Sequence, residues 1–381
     1  MPAPEPPAGQ VPIVFTQPNF LTAGSGQLVL EIAAGLDRRR FRPIICLHRR
    51  GGALEERARE HGIELLEAVP TVPARPYLSL LPRAHRAARR MLEAGVPDGA
   101  LWHSFHYLDD YTEPLVARFA RARAWVYSKK SMSWGSRAWW LRSQLADRIL
   151  CLNTEMVEAF FASPRLRRKT ELAPPGVDIE AYHPRSAPRI GSPACAGNLV
   201  VGCVAHLLPV KGQTTLIEAA ARCPWLELRL AGRPLEPDYV RQLEQRIDQL
   251  GVGDRVSFLG QVDDVPSLHH ELDIFVLPTL AEGRMEGCPV ALLEAMASGL
   301  PVIATRIPGA NDVVEPGESG LLVPARDVEA LTAALEQLRS EDERRRLGQG
   351  ARRRIEEGYT LSHEVAVHEA VYSRLLAPRG R

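Results

Sequence analysis

The sequence predicts an α/β protein with two Rossmann-like domains, each built on a parallel sheet. Short apolar runs alternate with amphipathic segments along the chain, which favours parallel strands joined by right-handed helical crossovers. The alternation occurs twice, on either side of a stretch of Ser, Pro, Gly and Arg without periodicity. A length of 381 residues is sufficient for two ordinary domains.

Changes in composition give the predicted domain boundaries. Residues 1–10 are rich in proline and lack the basic and apolar regions of a signal peptide, so we expect a disordered tail and no anchor at this end. The other predicted parts are a first domain over 11–184, a linker over 185–198, a second domain over 199–360, and a last helix over 361–381.

In the first domain, apolar runs predict strands at 11–16, 42–47, 63–66, 100–104, 124–128 and 148–152. Apolar residues at helical spacing predict helices at 27–36, 53–61 and 81–94. Between the first strand and the first helix, Gly24-Ser25-Gly26 predicts a glycine loop. The order is therefore strand, glycine loop, helix, as in nucleotide-binding α/β domains.

The second domain repeats this order. Its predicted strands lie at 199–205, 226–231, 256–259, 274–277, 301–305 and 320–323, which makes a set of six. Its predicted helices lie at 212–222, 237–250, 265–272, 327–339 and 340–357, followed by a last helix at 362–376. Pro237 and Gly251 mark the two ends of the second of these helices.

Composition excludes several classes of function. With 47 basic and 46 acidic residues the net charge is +1, so no strong field favours a nucleic acid partner. Six cysteines are scattered without a C-x-x-C pair, as expected for reduced cytosolic thiols rather than disulfides or a zinc site. No apolar run is long enough to cross a bilayer. We expect a cytoplasmic protein that contacts a membrane at most peripherally, at its inner face.

The most informative motif follows the strand-like segment 274–277. Glu286 and Glu294 stand at the two ends of a Gly/Pro turn and an apolar run, Glu286-Gly-Cys-Pro-Val-Ala-Leu-Leu-Glu294. A turn that ends a strand and opens a helix presents backbone N–H groups, and these favour anions. The motif therefore predicts a site for a charged ligand.

This Glu-x7-Glu motif, continued by Ala-Met-Ala-x-Gly-x-Pro-Val, resembles the signature of the retaining family 4 glycosyltransferases of the GT-B type. Further similar segments occur in the family's order at 146–155, 175–178, 211–212, 258–260, 281–286 and 317–324. The resemblance covers nearly the whole chain and is most specific over 201–324. It implies two Rossmann-like domains facing across a cleft, a nucleotide-sugar on the second and the acceptor on the first. It also implies that the last helix crosses back to the first domain.

On the donor side, the expected ligands lie after the carboxyl ends of strands, where open α/β sheets bind ligands. Lys211 is the leading phosphate ligand, and His206 stands where the resemblance implies an arginine. The resemblance places Glu294 at the ribose hydroxyls and Glu286 at the sugar. The remaining candidates are the backbone groups of Gly287, Cys288 and Pro289, the aromatic Phe258, and Gly24 and Gly26, which would let the backbone approach the donor.

On the acceptor side, Lys130 stands where the resemblance implies a histidine. Lysine can hold a phosphate or a sugar oxygen but is a poor general base unless it is buried. In this family the leaving phosphate is thought to take the acceptor proton, so no protein base is required. Lys129, His103 and His106 are further acceptor-side candidates. The predicted catalytic set is Glu286, Lys211 and Lys130, with no metal and no cofactor.

Each of these features also has a purely structural interpretation. The Gly-Ser-Gly segment is more often a turn than a phosphate site, Lys211-Gly212 is an ordinary helix start, and isolated histidines are more often structural. A cluster of aromatic residues and arginines, Trp134, Trp139 and Trp140 with Arg137 and Arg142, either touches lipid or packs around a helix. The basic run 165–169 is either solvated or attracts an anionic carrier.

The combined prediction is a retaining hexosyltransferase. It moves a sugar from a UDP- or GDP-sugar to a hydroxyl of a sugar, a lipid-linked sugar or a small molecule, in the synthesis of a cell-surface polysaccharide or glycolipid. Two alternatives stay open: a degenerate GT-B protein that binds a sugar nucleotide or a partner without turnover, and a sugar-nucleotide epimerase.

Overall fold

The computed structural model of the protein describes residues 9–20, 23–106, 110–134, 136–186, 198–282 and 287–377. The chain forms two compact units, one made of residues 1–174 and 361–381, the other of residues 175–360. The first stretch of unit 1 ends earlier than the predicted boundary at 184. Most of the predicted tail (1–10) and of the predicted linker (185–198) lies outside the described residues.

Unit 1 is built on a seven-stranded parallel sheet of order β3-β2-β1-β4-β5-β6-β7. Its strands are β1 (Val11–Gln17), β2 (Phe41–Leu47), β3 (Glu64–Glu67), β4 (Leu101–Ser104), β5 (Ala124–Lys129), β6 (Arg148–Cys151) and β7 (Thr170–Leu172). Six of these strands match the predicted ones to within about two residues. The seventh strand, β7, has three residues and no apolar pattern, so periodicity did not predict it.

The described part of unit 1 contains eight helices. They are α1 (Ala23–Gly35), α2 (Leu54–Glu60), α3 (Leu80–Glu93), α4 (Glu113–Phe119), α5 (Ala138–Leu145), α6 (Thr154–Phe161), α7 (Pro164–Arg167) and α15 (Leu361–Leu376). The last of these, α15, packs into the core of unit 1: its Val371 and Tyr372 belong to the same buried cluster as Ile32 of α1 and Phe41 of β2.

The predicted glycine loop at 24–26 is wrong, because α1 already begins at Ala23. At Gly26, the position of a Cβ atom lies 2.8 Å from Leu54 Cδ1 and 3.1 Å from Phe20 Cδ1. Gly26 therefore allows close packing of α1 against α2, and its small size explains a glycine inside the helix.

Unit 2 is built on a six-stranded parallel sheet of order β10-β9-β8-β11-β12-β13. The strands are β8 (Leu199–Val204), β9 (Leu226–Ala231), β10 (Val256–Gly260), β11 (Ile274–Leu277), β12 (Val302–Thr305) and β13 (Leu321–Val323). This confirms the predicted set of six. Relative to the first strand of each unit, both sheets have the Rossmann order 3-2-1-4-5-6, with a seventh strand in unit 1.

The helices of unit 2 are α8 (Gln213–Ala221), α9 (Pro237–Leu250), α10 (Val265–His270), α11 (Val290–Ala297), α12 (Ala310–Val313), α13 (Val328–Gln337) and α14 (Glu341–Gly358). The bounds of α9 match the prediction, because proline occupies its first turn and Gly251 ends it at φ 66°. Within the described part of the chain, no helix is long and apolar enough to cross a membrane.

Candidate functional site

The strand order of unit 2 reverses between β8 and β11. In open α/β sheets this reversal leaves a crevice outside the carboxyl ends of the two strands, where ligands bind. The side chains and backbone groups of the two segments that follow β8 and β11 therefore determine which ligands this crevice of unit 2 can bind.

The segment after β8 is fixed by a glycine. A single 3₁₀ turn, Pro209–Lys211, is followed by Gly212 at φ 70°. A Cβ on Gly212 would lie 2.0 Å from the carbonyl oxygen of Pro278, just after β11. The backbone N–H of Leu280 also donates to the carbonyl of Val210 over 2.7 Å. The Lys211 loop is thus seated directly on the end of β11, at the reversal of strand order.

Lys211 is half-buried at this position. Its positive charge acts on the thiol of Cys203 in β8: burial raises the pKa of Cys203 to about 12, and Lys211 opposes that rise. The lysine charge therefore lies near the floor of the crevice. This is where a diphosphate needs a positive partner.

His206 belongs to the same loop and is exposed. Its carbonyl accepts a hydrogen bond of 3.0 Å from Gln213 Nε2. The neighbouring Gly232 approaches so closely that a Cβ there would lie 2.0 Å from the carbonyl oxygen of Ala205. The loop backbone around His206 is therefore held on both sides, while the residue as a whole is exposed.

The predicted Gly/Pro turn leads into α11. Pro289 is the residue that precedes the helix, and Gly287, Cys288 and Pro289 are all buried. A Cβ on Gly309, after β12, would lie 2.4 Å from the carbonyl oxygen of Gly287. The turn is thus pressed against the next loop of the same edge. The predicted residue Glu286 lies outside the described residues.

Two other predicted donor residues lie on the same edge or close to it. Glu294 is half-buried on α11, where its carbonyl accepts a 2.9 Å hydrogen bond from Ser298 Oγ. Phe258 is half-buried near the end of β10 and packs against the core of unit 2. Gly260, which ends β10, has φ 65° with open space around it. The backbone at 258–260 is therefore open to a planar group, whereas the Phe258 ring mainly serves packing.

The corresponding edge of unit 1 contains a buried ion pair. Glu113 of α4 and Arg142 of α5 have no exposed side-chain area, and their charged atoms lie 3.5 Å apart. Ser104 Oγ, at the end of β4, donates to Glu113 over 2.6 Å and accepts from Arg142 over 2.8 Å. Thr16 Oγ1 of β1 also donates to Glu113. The reversal of strand order in this sheet, between β1 and β4, is thus filled by side chains.

Lys129, at the end of β5, is buried next to this network. Burial lowers its pKa to about 7. Its ammonium donates to the carbonyls of Ser131 and Ser133, the latter over 2.7 Å, and lies 3.9 Å from the centre of the Trp134 ring. These contacts stabilise the charged form. Lys129 therefore anchors the loop at 131–134 and borders a small cavity.

Lys130 lies at the same cavity and is half-buried. Its ammonium donates to the carbonyl of Phe105, just after β4. His106 lines the cavity too and stacks on His48, with ring centres 5.0 Å apart. Burial, together with His48, lowers the pKa of His106 to about 3, so His106 is neutral at physiological pH. The structure thus brings Lys129, Lys130 and His106 together.

Two predicted site residues are corrected by the structure. His103 is fully buried, with Nδ1 2.6 Å from the Tyr372 hydroxyl and Nε2 2.9 Å from Ser128 Oγ. Both ring nitrogens are occupied inside unit 1, so His103 does not fit the role of an acceptor contact. Gly26 is covered by Leu54 and Phe20 and does not offer open backbone to a donor. Gly24 lies in the first turn of α1 rather than in a loop.

In the described part of the chain, no group of three or more His, Cys, Asp or Glu side chains is arranged to hold a metal ion.

Comparison with protein families decides the assignment. Residues 22–181 match the model described as Glycosyltransferase Family 4, and residues 192–354 match the model described as Glycosyl transferases group 1. The chain belongs to glycosyltransferase family 4. The resemblance that the Glu-x7-Glu motif predicted is confirmed.

One curated relative of this family 4 chain is the GDP-mannose-dependent alpha-(1-6)-phosphatidylinositol monomannoside mannosyltransferase of Mycobacterium tuberculosis. The two are 33% identical over 185 residues, which covers 44% of this chain and 46% of the relative. The chain thus spans less than half the length of that relative.

Solved structures show the GT-B fold for this family 4 chain. A glycosyltransferase from Rickettsia africae matches with a TM-score of 0.82 at 17% identity, over 97% of this chain and 100% of the other. HepE of Anabaena, crystallised with UDP and glucose, matches with a TM-score of 0.76 at 22% identity, over 95% and 99% of the two chains. At these identities the likeness concerns the fold alone.

The sequence did not single out the ion pair of this family 4 chain. The sequence pattern places Arg142 only in an aromatic and basic cluster, and no motif marks Glu113. The cluster itself packs, since the Trp134 and Trp139 rings stack 5.4 Å apart, whereas Trp140 is 55% exposed. Glu113 stands beside Pro114 at the start of α4, which is a local signal for the beginning of a helix. This signal does not reveal that Glu113 has a buried partner.

A larger cavity, of about 790 Å³, lies at the amino edge of the sheet of unit 2, next to the first residues of β8, β11 and β12. Arginines line it, but several are engaged with the protein itself. Arg185 pairs with Asp273 over 3.3 Å, Arg345 pairs with Glu341 over 2.9 Å, and Arg352 donates to the carbonyl of Ala297 over 2.7 Å. This cavity is not at the carboxyl edge where the donor-side residues lie.

Proposed function

We propose that the protein is a retaining glycosyltransferase that transfers mannose from GDP-mannose to a hydroxyl group of a glycolipid acceptor. The observation that carries this proposal is the Lys211 loop, which Gly212 seats on the end of β11 at the reversal of strand order. A half-buried lysine at that point suits a nucleoside diphosphate better than a neutral ligand.

The proposed donor chemistry follows from the groups on this edge of unit 2. Departure of the diphosphate leaves negative charge on its oxygens, which Lys211 and the first N–H groups of α11 would stabilise. His206 would add a weaker, pH-dependent hydrogen bond, because imidazole titrates near pH 6.5. Glu294 would accept hydrogen bonds from the ribose hydroxyls. The role of Glu286 at the sugar stays a prediction.

The choice of GDP-mannose is supported by the mycobacterial relative, whose name gives GDP-mannose as its donor and a phosphatidylinositol monomannoside as its acceptor. A UDP-sugar is the competing donor. The open backbone after Phe258, at Gly260, would receive the base without a side chain that selects guanine over uracil. The nucleotide must therefore be identified by experiment.

On unit 1, Lys130 and His106 are the proposed acceptor contacts. A neutral His106 can accept a hydrogen bond from an acceptor hydroxyl, and Lys130 can donate to a sugar or phosphate oxygen. Burial of Lys129 and its hold on the loop at 131–134 make it a positioning residue for this pair. The acceptor proton would pass to the departing phosphate, with retention at the anomeric carbon. A lipid-linked acceptor would place the protein at the cytoplasmic face of a membrane.

A second candidate is a protein that binds a sugar nucleotide without turnover. It is favoured by His206, which replaces the expected arginine, and by Lys130, whose ammonium already donates to the Phe105 carbonyl. In this alternative the donor binds but no sugar is transferred to any acceptor.

The test measures release of free nucleoside diphosphate from GDP-mannose, UDP-glucose and ADP-glucose, each with and without a mannosylated phosphatidylinositol acceptor. We expect GDP release that depends on the acceptor, loss of at least about 100-fold in Lys211→Ala, and little change in the exposed control Glu329→Gln. NMR of the product gives the anomeric configuration, and an inverted product contradicts retention. Donor binding without release supports the second candidate. No binding of any donor contradicts both.

A further inference from the structure

Unit 1 exposes apolar side chains just before and at the start of α3. Leu78 is fully exposed at 100%, Tyr77 is 63% exposed and Leu81 is 57% exposed. They lie on the 3₁₀ turn Tyr77–Ser79 and on the first turn of α3. Single exposed leucines are common on protein surfaces, but three large apolar side chains within five residues form a patch that water does not favour.

The backbone that carries these side chains is held in place. The guanidinium of Arg83 donates to the carbonyl of Arg75 over 2.8 Å and to the carbonyl of Pro76 over 2.9 Å. The Arg75 guanidinium in turn lies 5.8 Å from the centre of the Tyr77 ring. The turn is therefore fixed by its own helix, and the exposed side chains are presented by an ordered backbone.

Helix α3 has two distinct faces. Ala84, Ala87, Ala88 and Met91 are buried against unit 1. The opposite face presents Arg86, Arg89 and Arg90 to solvent, beyond the apolar side chains of the first turn. An amphipathic helix with arginines on one face and exposed apolar side chains at its border is the arrangement that binds at a lipid–water interface.

The segment that carries these side chains is strongly basic. Residues 75–93 contain five arginines and one glutamate, a formal charge of +4, in a chain whose total is +1. Arg86 and Arg90 have no carboxylate partner in the part of the chain that the structure describes, and Arg89 has only a loose pair with Glu93, 3.6 Å apart and exposed. This charge is available to an anionic surface.

We propose that Tyr77, Leu78 and Leu81, together with Arg86 and Arg89, form a docking surface for an anionic lipid bilayer. The apolar side chains enter the boundary between headgroups and acyl chains, and the arginines bind lipid phosphates. The bilayer is preferred over a nucleic acid because the exposed side chains of Leu78 and Leu81 gain nothing from a sugar–phosphate backbone. It is preferred over a second copy of the chain because the positive charges of two such surfaces repel each other.

A second basic segment of unit 1 can be compared with this surface. Residues 165–169 also carry a formal charge of +4, but their one apolar side chain, Leu166, is buried. Arg165 and Arg168 are exposed there. Pure charge attraction predicts that both segments contribute equally to membrane binding, whereas the docking surface predicts that only the α3 segment does.

The test is co-sedimentation of the full chain with vesicles of phosphatidylcholine and phosphatidylglycerol, against vesicles of phosphatidylcholine alone. Wild type is expected to sediment with the anionic vesicles only. Leu78→Glu is expected to lower partitioning at least about tenfold. Arg86→Gln/Arg89→Gln is expected to lower it about 25-fold, about fivefold for each arginine near the surface. Because all these positions are exposed, the variants are expected to keep the melting temperature of wild type.

Two matched controls decide the interpretation. Arg165→Gln/Arg168→Gln removes the same charge elsewhere, and Leu235→Glu changes an exposed leucine of unit 2; each is expected to alter partitioning less than about twofold. Equal losses in both arginine pairs would overturn the proposal in favour of unspecific charge attraction. So would failure of wild type to sediment, or a wild-type dimer in solution that Leu78→Glu converts to a monomer.

This proposal does not rest on the proposed function. Binding of GDP measured without lipid is expected to be the same in wild type and Leu78→Glu. If wild type binds GDP but not anionic vesicles, only the proposed docking surface is contradicted. If wild type binds vesicles but no nucleotide, only the proposed transferase function is contradicted.

Discussion

The two sheets of this protein share one strand order but use its reversal point in opposite ways. In unit 2, the reversal between β8 and β11 is built from backbone, with Gly212 pressed against the Pro278 carbonyl and Lys211 beside it. In unit 1, the reversal between β1 and β4 is filled by the Glu113–Arg142 ion pair and the hydroxyl groups around it. The same topology therefore gives one edge open to an anion and one edge closed by its own charges.

This difference is the basis of the proposal that unit 2 binds the charged half of the substrate. Glycine turns and helix N-termini present fixed N–H donors, which suit phosphate groups and need no side chain to rearrange. Glu113 and Arg142 pair with each other at this edge of unit 1, and Lys130 and His106, at the cavity beside them, are the residues proposed to contact an uncharged hydroxyl acceptor.

The largest expected effect concerns the ion pair of unit 1. Arg142→Ala leaves Glu113 charged and buried without its partner, so the free energy of unfolding should fall by about 3–5 kcal/mol. Urea denaturation followed by tryptophan fluorescence measures this, because five of the six tryptophans lie in unit 1. The control Arg241→Ala breaks an exposed pair with Asp238 and should cost less than about 1 kcal/mol. Similar losses in both variants would contradict a buried pair.

The next effect concerns the backbone of unit 2. Gly212→Ala places a methyl group 2.0 Å from the Pro278 carbonyl oxygen and displaces Lys211, so transfer should fall about 100-fold. Gly251→Ala is the matched control: it has a similar φ of 66° but nothing within 4 Å of the new Cβ. It should cost about 1 kcal/mol of stability and no activity. If both variants keep activity, the Lys211 loop does not hold the donor.

Acid should affect unit 1 more than unit 2. Burial lowers the pKa of His368 to about 4 and that of His106 to about 3, and it lowers the pKa of His103 as well. In unit 2, burial lowers the pKa of His269 to about 4. Because each folded pKa lies below the unfolded value near 6.5, the unfolded state binds more protons between the two values, and stability falls as pH decreases through that window.

At pH 5 each group with a pKa near 4 should cost about 2 kcal/mol relative to pH 7. Limited proteolysis at both pH values, with the fragments identified by mass, measures which unit opens first. We expect cleavage in unit 1 before unit 2 at pH 5. Loss of unit 2 first, or no change between pH 7 and pH 5, would contradict the burial of these histidines.

The smallest expected effect tests the departure from the family pattern at His206. Because this residue is exposed, His206→Arg should fold normally and place a permanent charge where the resemblance implies an arginine. We expect kcat/KM for the donor to rise by up to about tenfold, most clearly above pH 7, where an imidazole of ordinary pKa is neutral and arginine stays charged. The measurement is the pH profile of GDP release in both proteins. An unchanged profile would show that His206 does not reach the diphosphate.

The sequence predicted the fold well because periodicity reports directly on burial. In unit 2, β11 and β13 are continuous apolar runs, β9 alternates apolar and charged residues, and α9 is bounded by Pro237 and Gly251, so each could be predicted from local sequence. The three-residue strand β7 could not be, because its pairing with β6 rather than its composition makes it a strand. The start of α1 was missed because Gly26 serves a tertiary contact with Leu54 that no local pattern contains.

The candidate site also contains some residues whose placement depends on local sequence and others whose placement depends on distant partners. The placement of Lys211 and of the turn before α11 at the carboxyl edge could be predicted because it depends on local backbone shape and spacing; their role in donor binding stays a prediction. The buried contacts of His103 and Arg142 could not be predicted, since both are defined by partners far away in the chain, Tyr372 and Glu113 respectively. Long-range pairing of buried polar groups is set by topology, and a single sequence does not reveal it.

The central claim is that the carboxyl edge of unit 2, rather than that of unit 1, binds the nucleoside diphosphate. Isothermal titration of GDP into wild type, Lys211→Ala and Lys130→Ala tests it directly, because the two variants each remove one half-buried lysine from one edge. We predict that Lys211→Ala weakens GDP binding at least about tenfold, the loss expected for one charged contact to phosphate, and that Lys130→Ala leaves it unchanged. Retained binding in Lys211→Ala together with lost binding in Lys130→Ala would contradict the account.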